Sequence, residues 1–324
     1  MGIVSSAVAG LSWLGGLSDP LAWLVVAAFV AGAVVERYDS TAARYVMVGT
    51  WVLFAVFWLS VVHHFAFVQK SIIEGLGTAL AVPACLSVAT LFARGRDSLL
   101  VLSRSVAIMG VVFLPFEAVP LLRRTLIETV TAQTSFLISL LDVEHTVVSG
   151  LTLDGYRIAE KTYPYDSTLA FYQSGAPITL TIKIACTGIG SMAVFAGLIA
   201  AVDAPVDRKL RAVGASIPVI YALNLVRNVF IGVGFGTQRF HVFPDVISAM
   251  FAVENSIMVS YYVVDRLISQ SLSVVVLVGI TWIVVHQVPE LLGIIEDAIY
   301  AVTRQDLDLR TALGVREVRA DGEG

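Results

Sequence analysis

Apolar residues in this chain gather in long, almost uninterrupted runs, neither alternating nor confined to one helical face. Several runs approach the ~20 residues that a helix needs to cross a hydrocarbon layer ~30 Å thick. They predict membrane spans near residues 18–35, 45–65, 75–93, 99–121, 187–203, 212–234 and 267–288. The stretch 246–264 has the character of an eighth, but Glu254, Asn255 and Ser256 fall at its middle. Polar groups there are costly against lipid, so this stretch either crosses or turns back. Residues 1–16 are apolar, short and glycine-bearing, with room for an additional half-span.

Between the fourth and fifth runs lies the longest insert, 122–186. Thr125–Leu141 spaces its apolar residues as an interfacial helix does. Thr146–Ile158 and Ile178–Ile184 alternate apolar and polar positions, as strands do. The expected fold is an all-α polytopic membrane protein with about seven or eight transmembrane helices and a small extracellular cap between the fourth and fifth spans. The expected divisions are 1–121 (N-terminal spans), 122–186 (cap), 187–288 (a second membrane core) and 289–324 (a solvated cytoplasmic tail). No second soluble domain and no internal duplication stand out.

Loop charge orients the set. The segments 36–44, 93–97 and 203–211 hold most of the short-loop Arg and Lys, which places them in the cytoplasm. Alternation then puts 66–74, 122–186 and 235–245 outside, although Arg123 and Arg124 run against the rule. The N-terminus lacks the basic region and cleavage site of a secretory signal peptide.

Composition agrees with a life in lipid. Hydrophobic residues make up 57% of the 324 positions and charged residues 14%, against about a quarter charged in soluble domains. Mean hydropathy is +0.84. A net charge of −4 carries no basic footprint for nucleic acid. Two cysteines cannot build a disulfide framework, and Cys85, inside an apolar run, reads as a small buried hydrophobe.

Cys186 is different. It stands in Thr181–Ser191, a polar, glycine-bearing step before an apolar run, on the outer side of the predicted topology. A helix N-terminus there favours a thiolate. Thr187 and Gly188 supply backbone that a substrate can approach closely. Spacing alone serves equally well for a small residue that packs helices. Arg227 lies inside the 212–234 run, where a guanidinium costs several kcal/mol unless it is paired or faces a wet cavity. Asn224, three residues earlier, shares its helical face. Arginine cannot act as a base, so its roles are lowering a thiol pKa or binding an oxyanion. Arg266, after Asp265, and His241, in the external loop, compete to complete the set; the histidine has acid–base capacity. His63 and His64 lack further ligands at metal spacing, and no phosphate loop or nucleophile elbow is present, so neither metal nor cofactor is expected. A transporter or channel lined by arginines is the alternative from a different class.

At Ala185–Gly190, Asn224–Asn228, Phe240–Asp245 and Asp265-Arg266 the chain resembles the exosortase and archaeosortase family, best over roughly 170–270. The resemblance implies a membrane thiol transpeptidase of cell-surface proteins. Its substrates would carry a C-terminal sorting signal: a short motif, a membrane helix and a basic cluster. In the haloarchaeal branch the motif is Pro-Gly-Phe, and surface-layer glycoproteins are among the substrates. The helix is removed and the new C-terminus passes to a prenyl-derived lipid acceptor. The resemblance further implies Cys186 as nucleophile, Arg227 as its assistant and Arg266 as the second arginine of the archaeal branch, with His241 as alternative or auxiliary.

Overall fold

The computed structural model describes residues 10, 13–159, 161–173, 176–253 and 255–313. Most of the 1–16 segment, and Glu254 of the polar break, lie outside them. The helices run in the order α1 (Ser18–Glu36), α2 (Ser40–His63, prolonged by a π turn at His64–Val68), α3 (Ile72–Ala93), α4 (Leu99–Ala118) and α5 (Pro120–Ser139). The strands β1 (Thr146–Val148), β2 (Thr152–Leu153), β3 (Tyr156–Arg157), β4 (Thr168–Gln173) and β5 (Ala176–Thr181) follow. After them come α6 (Ile189–Ala201), α7 (Val206–Gly236), α8 (Pro244–Phe251), α9 (Met258–Gln287), α10 (Leu291–Thr303) and α11 (Leu309–Leu313). Among the described residues α1, α2, α3, α4, α7 and α9 are long and apolar enough to cross a membrane. The molecule is a mostly helical, polytopic membrane protein.

Four expectations shift in detail. The fourth span stops at Ala118, because the residue before a proline is pushed out of the helical region. Val119 is accordingly extended, and Pro120 opens α5 at its first helical position, where a missing N–H costs nothing. The stretch 246–264 is no continuous crossing. α8 ends at Phe251, Ala252 takes a left-handed conformation at φ +49, and the last span begins at Met258, ahead of the expected 267. The fifth run gives the 13-residue helix α6, about 20 Å long at 1.5 Å per residue. Gly188 turns the chain ahead of it, and the chain leaves the helix again before Pro205. The segment after 289 is not wholly a solvated tail: α10 buries Leu291, Leu292, Ile294 and Ala301.

The chain forms two compact units. One comprises the described parts of Met1–Val111, Val194–Ser216 and Val278–Gly324. Its core holds aromatic rings among aliphatic residues: the rings of Phe29 and Trp51 meet edge-on at 5.3 Å, and the indole N–H of Trp51 donates to Ser103 Oγ at 2.9 Å. A buried indole needs that partner. Several charges in this unit are paired, Arg104 with Glu36 at 2.7 Å, Arg96 with Asp297 at 2.8 Å and Arg208 with Glu290 at 2.7 Å.

The other unit comprises Val112–Ala193 and Ile217–Leu277. It holds α5 and an antiparallel sheet in the order β1-β4-β5, with β2 and β3 as a separate hairpin. Strands were expected over 146–158 and 178–184, where β1, β2, β3 and most of β5 lie; β4 was not expected. The sheet presses Leu169, Phe171 and Ile178 against Ile138 of α5 and Phe235 of α7. A second cluster, Ile127, Val130 and Ile182, carries Cys186 at its edge. Gly234 lets α7 and α9 close up, since a Cβ there would lie 2.9 Å from Val264 Cγ2. In the space so gained, the Ser260 hydroxyl donates to the Gly234 carbonyl at 3.0 Å. That contact fixes the start of α9 against the end of α7, one turn before Asp265.

Candidate active site

Cys186 sits in a single 3-10 turn, Ile184–Thr187, between the end of β5 and the start of α6. Its N–H donates to the Lys183 carbonyl at 2.8 Å, and the Thr187 hydroxyl closes the turn on Ile184 O at 2.6 Å. Gly188 then adopts φ +78, the left-handed region that favours glycine. Only after that reversal does α6 begin. Cys186 therefore precedes the helix on a tight turn of its own and is half-buried.

One face of α7 holds that turn. Asn224 Nδ2 donates to the Cys186 carbonyl at 2.7 Å, and Asn228 Nδ2 donates to the same oxygen at 2.8 Å. Residues four apart lie one above the other on a helix, so two amides converge on one acceptor. Arg227 shares that face. Its Nη2 lies 2.8 Å from Asp265 Oδ1, while the other oxygen of Asp265 is 3.5 Å from Arg266 Nε.

The carboxylate comes from a π-helical segment, Tyr262–Ser269, inside α9. In an α-helix Arg266 would stand about 140° round from Tyr261, five positions earlier. The wider i→i+5 turn brings positions five apart to one side, and Arg266 Nη2 lies 3.4 Å from the Tyr261 hydroxyl. The Gln270 N–H closes the segment on the Asp265 carbonyl. Such insertions cost regular hydrogen bonding and gather at functional sites. Here the insertion coincides with a carboxylate that meets both arginines.

The site thus unites Cys186, Thr187, Gly188, Asn224, Arg227 and Arg266, all singled out in the sequence. His241 stands apart from this network: it is exposed and makes no hydrogen bond, ion pair or ring contact among the described residues. Asp265, Asn228 and Tyr261 join the network without having been expected there from the sequence. A buried carboxylate next to an arginine in apolar sequence is the signal for Asp265, because each ion there needs a partner. Arg227 and Lys183 act on the thiol as positive charges and Asp265 as a negative one. Burial pushes the Cys186 thiol above the ordinary cysteine range, and the Arg227 charge pulls against that rise.

Gly188 is strained for any other residue and crowded as well, since an added Cβ would lie 3.1 Å from Asn224 Cβ and Cγ. Gly188→Ala is expected to cost about 1–2 kcal/mol for the left-handed backbone alone. It should also dislodge Asn224 from the Cys186 carbonyl. Thermal unfolding in detergent, read beside activity, checks this; an unchanged midpoint with full activity would contradict it.

A family model described as transmembrane exosortase matches residues 18–258. Archaeosortase A of Haloferax volcanii is 48% identical over 309 residues, covering 92% of this chain and 98% of that protein. Archaeosortase A of Natronomonas pharaonis is 42% identical over 292 residues, covering 88% of this chain and 89% of that protein. No solved structure matches.

Proposed function

This chain belongs to the transmembrane exosortase family, and we propose that it works as an archaeosortase by a cysteine transpeptidase mechanism. The observation that carries the reading is the arrangement at Cys186: a thiol on a turn pinned through its own carbonyl by Asn224 and Asn228, next to the Arg227–Asp265–Arg266 cluster.

The substrate class is a surface protein with a C-terminal sorting signal, Pro-Gly-Phe followed by a membrane helix and basic residues, with surface-layer glycoprotein among its members. The site faces the extracellular side of the cell membrane. Cys186 Sγ attacks the scissile carbonyl, a C–S bond forms and the C–N bond breaks. The thiol proton ends on the departing amine, which leaves with the membrane helix. Arg227 and Arg266 supply fixed positive charge for the thiolate and the tetrahedral oxyanion, worth more in a site of low dielectric than in water. A nucleophilic group on a prenyl-derived lipid then attacks the thioester, gives its proton back to sulfur and takes the protein. His241, exposed in the loop ahead of α8, is the auxiliary candidate for proton transfer.

A reporter with this signal, incubated with the full-length protein in membranes and quenched in acid, is expected to load the enzyme through a hydroxylamine-labile bond. Mass analysis should place the adduct on the Cys186 peptide. Processing that runs to completion without loading Cys186 at any quench time would sink the thioester mechanism.

A further inference from the structure

Asp265 has no assigned part in this chemistry, yet it is the group on which both arginines converge. Its side chain is 7% exposed, and its two oxygens are divided between Arg227 at 2.8 Å and Arg266 at 3.5 Å. Taking a carboxylate out of water costs several kcal/mol, so a single ion pair is a weak reason to keep one in an apolar helix. Three features bear on what this one does. It sits on the π-helical segment, where the helix gives up regular bonding. It reaches across from α9 to α7, to an arginine that lies one residue from an amide holding Cys186. It also leaves the Arg227 Nε–H, which is buried and has no hydrogen-bond partner among the described residues, held by one end of its fork alone.

We infer that Asp265 is a positioning residue: its carboxylate clamps Arg227 and Arg266 on its two oxygens and so sets where their charge stands relative to Cys186. The inference deepens the cysteine reading above and rests on it. A clamp and a mere counter-charge differ in sign. As a counter-charge, Asp265 raises the thiol pKa and its removal lowers it. As a clamp, its removal frees Arg227, and the larger, opposite influence of that arginine is lost with it. Truncation of a clamp therefore moves the thiol upward.

The test uses full-length protein in detergent, with iodoacetamide as probe, and follows Cys186 alkylation against pH together with reporter processing. Cys186→Ala supplies the blank for Cys85. Asp265→Ala is expected to raise the alkylation midpoint by about one pH unit, the scale of one close charge. Processing should fall by roughly 10- to 100-fold, as for other groups that act through a reacting one. Asp265→Glu, which keeps the charge, should restore part of both. Asp265→Asn, matched in shape, is expected to process about tenfold more slowly and carries the test if the alanine variant does not accumulate. A midpoint unchanged or lowered in Asp265→Ala overturns the clamp. So does processing within about twofold of wild type in Asp265→Ala or Asp265→Asn, whichever accumulates. Full processing by Cys186→Ala would instead defeat the underlying thiol reading, whatever Asp265 does.

Discussion

Cys186→Ala and Cys186→Ser are each expected to abolish processing of a Pro-Gly-Phe reporter while the protein accumulates at wild-type level. The loss should be on the order of 10³-fold or more, as when a nucleophile is removed from a covalent mechanism. The structure explains why so large an effect should arrive without misfolding. The bonds from Asn224 and Asn228 end on the backbone carbonyl of residue 186, and the Lys183 bond starts from its N–H. On the side chain, the substitution removes only the thiol's interaction with the Lys183 backbone among the described residues. Alanine removes one sulfur from a half-buried position at the edge of the Ile127–Val130–Ile182 cluster, a loss of about 1 kcal/mol in packing. Serine is the sharper variant. It leaves an oxygen where the sulfur was, but an alcohol needs a base beside it, and a cluster of two guanidinium groups and one carboxylate already engaged by both offers none. Serine activity near that of wild type would mean that the thiol is not the nucleophile.

The contrast between these residues and their partners marks what could be read from the sequence. The membrane-crossing helices were legible because their runs need no periodicity: length and the absence of charge suffice. β1, β2, β3 and β5 showed themselves by alternation, whereas β4 between them did not. Cys186, Arg227 and Arg266 stood out for a related reason, since an ion or a thiol in such surroundings requires an explanation. What escaped was geometry that no pattern encodes. The π-helical segment at Tyr262–Ser269 leaves no mark on hydrophobic spacing, yet it brings Tyr261 and Arg266 to one side of α9. Asn228 sits in a run whose spacing serves packing equally well; its meaning lies in a carbonyl 42 positions earlier. The brevity of α6 was hidden too. The run reads through from Thr187, and the left-handed Gly188 and the exit before Pro205 cut it short. At 246–264 the polar residues did announce a break, and the backbone turns at Ala252, just ahead of them.

Arg227→Ala is expected to lower processing by about 10²- to 10³-fold, the scale of losing one fixed donor to a developing oxyanion. Arg227→Lys is the decisive companion. Both side chains keep a positive charge inside α7, so they separate charge from shape. A lysine ammonium is a compact point charge on a flexible stem, whereas the arginine fork bonds Asp265 through one nitrogen and keeps others for a second acceptor. If Arg227 served only as a distant cation, lysine would restore nearly all activity. In the geometry seen here it must reach Asp265 Oδ1 at 2.8 Å and still present donors toward the reacting carbonyl, and an ammonium drawn to the carboxylate cannot easily do both. Lysine should therefore recover no more than about tenfold of the loss, while alanine strands the buried Asp265 with Arg266 as its remaining cation. Initial rates of reporter processing at equal membrane level decide the matter. A lysine variant at wild-type rate would reduce Arg227 to a charge; an alanine variant at wild-type rate would remove it from the mechanism and leave its place in the membrane to packing alone.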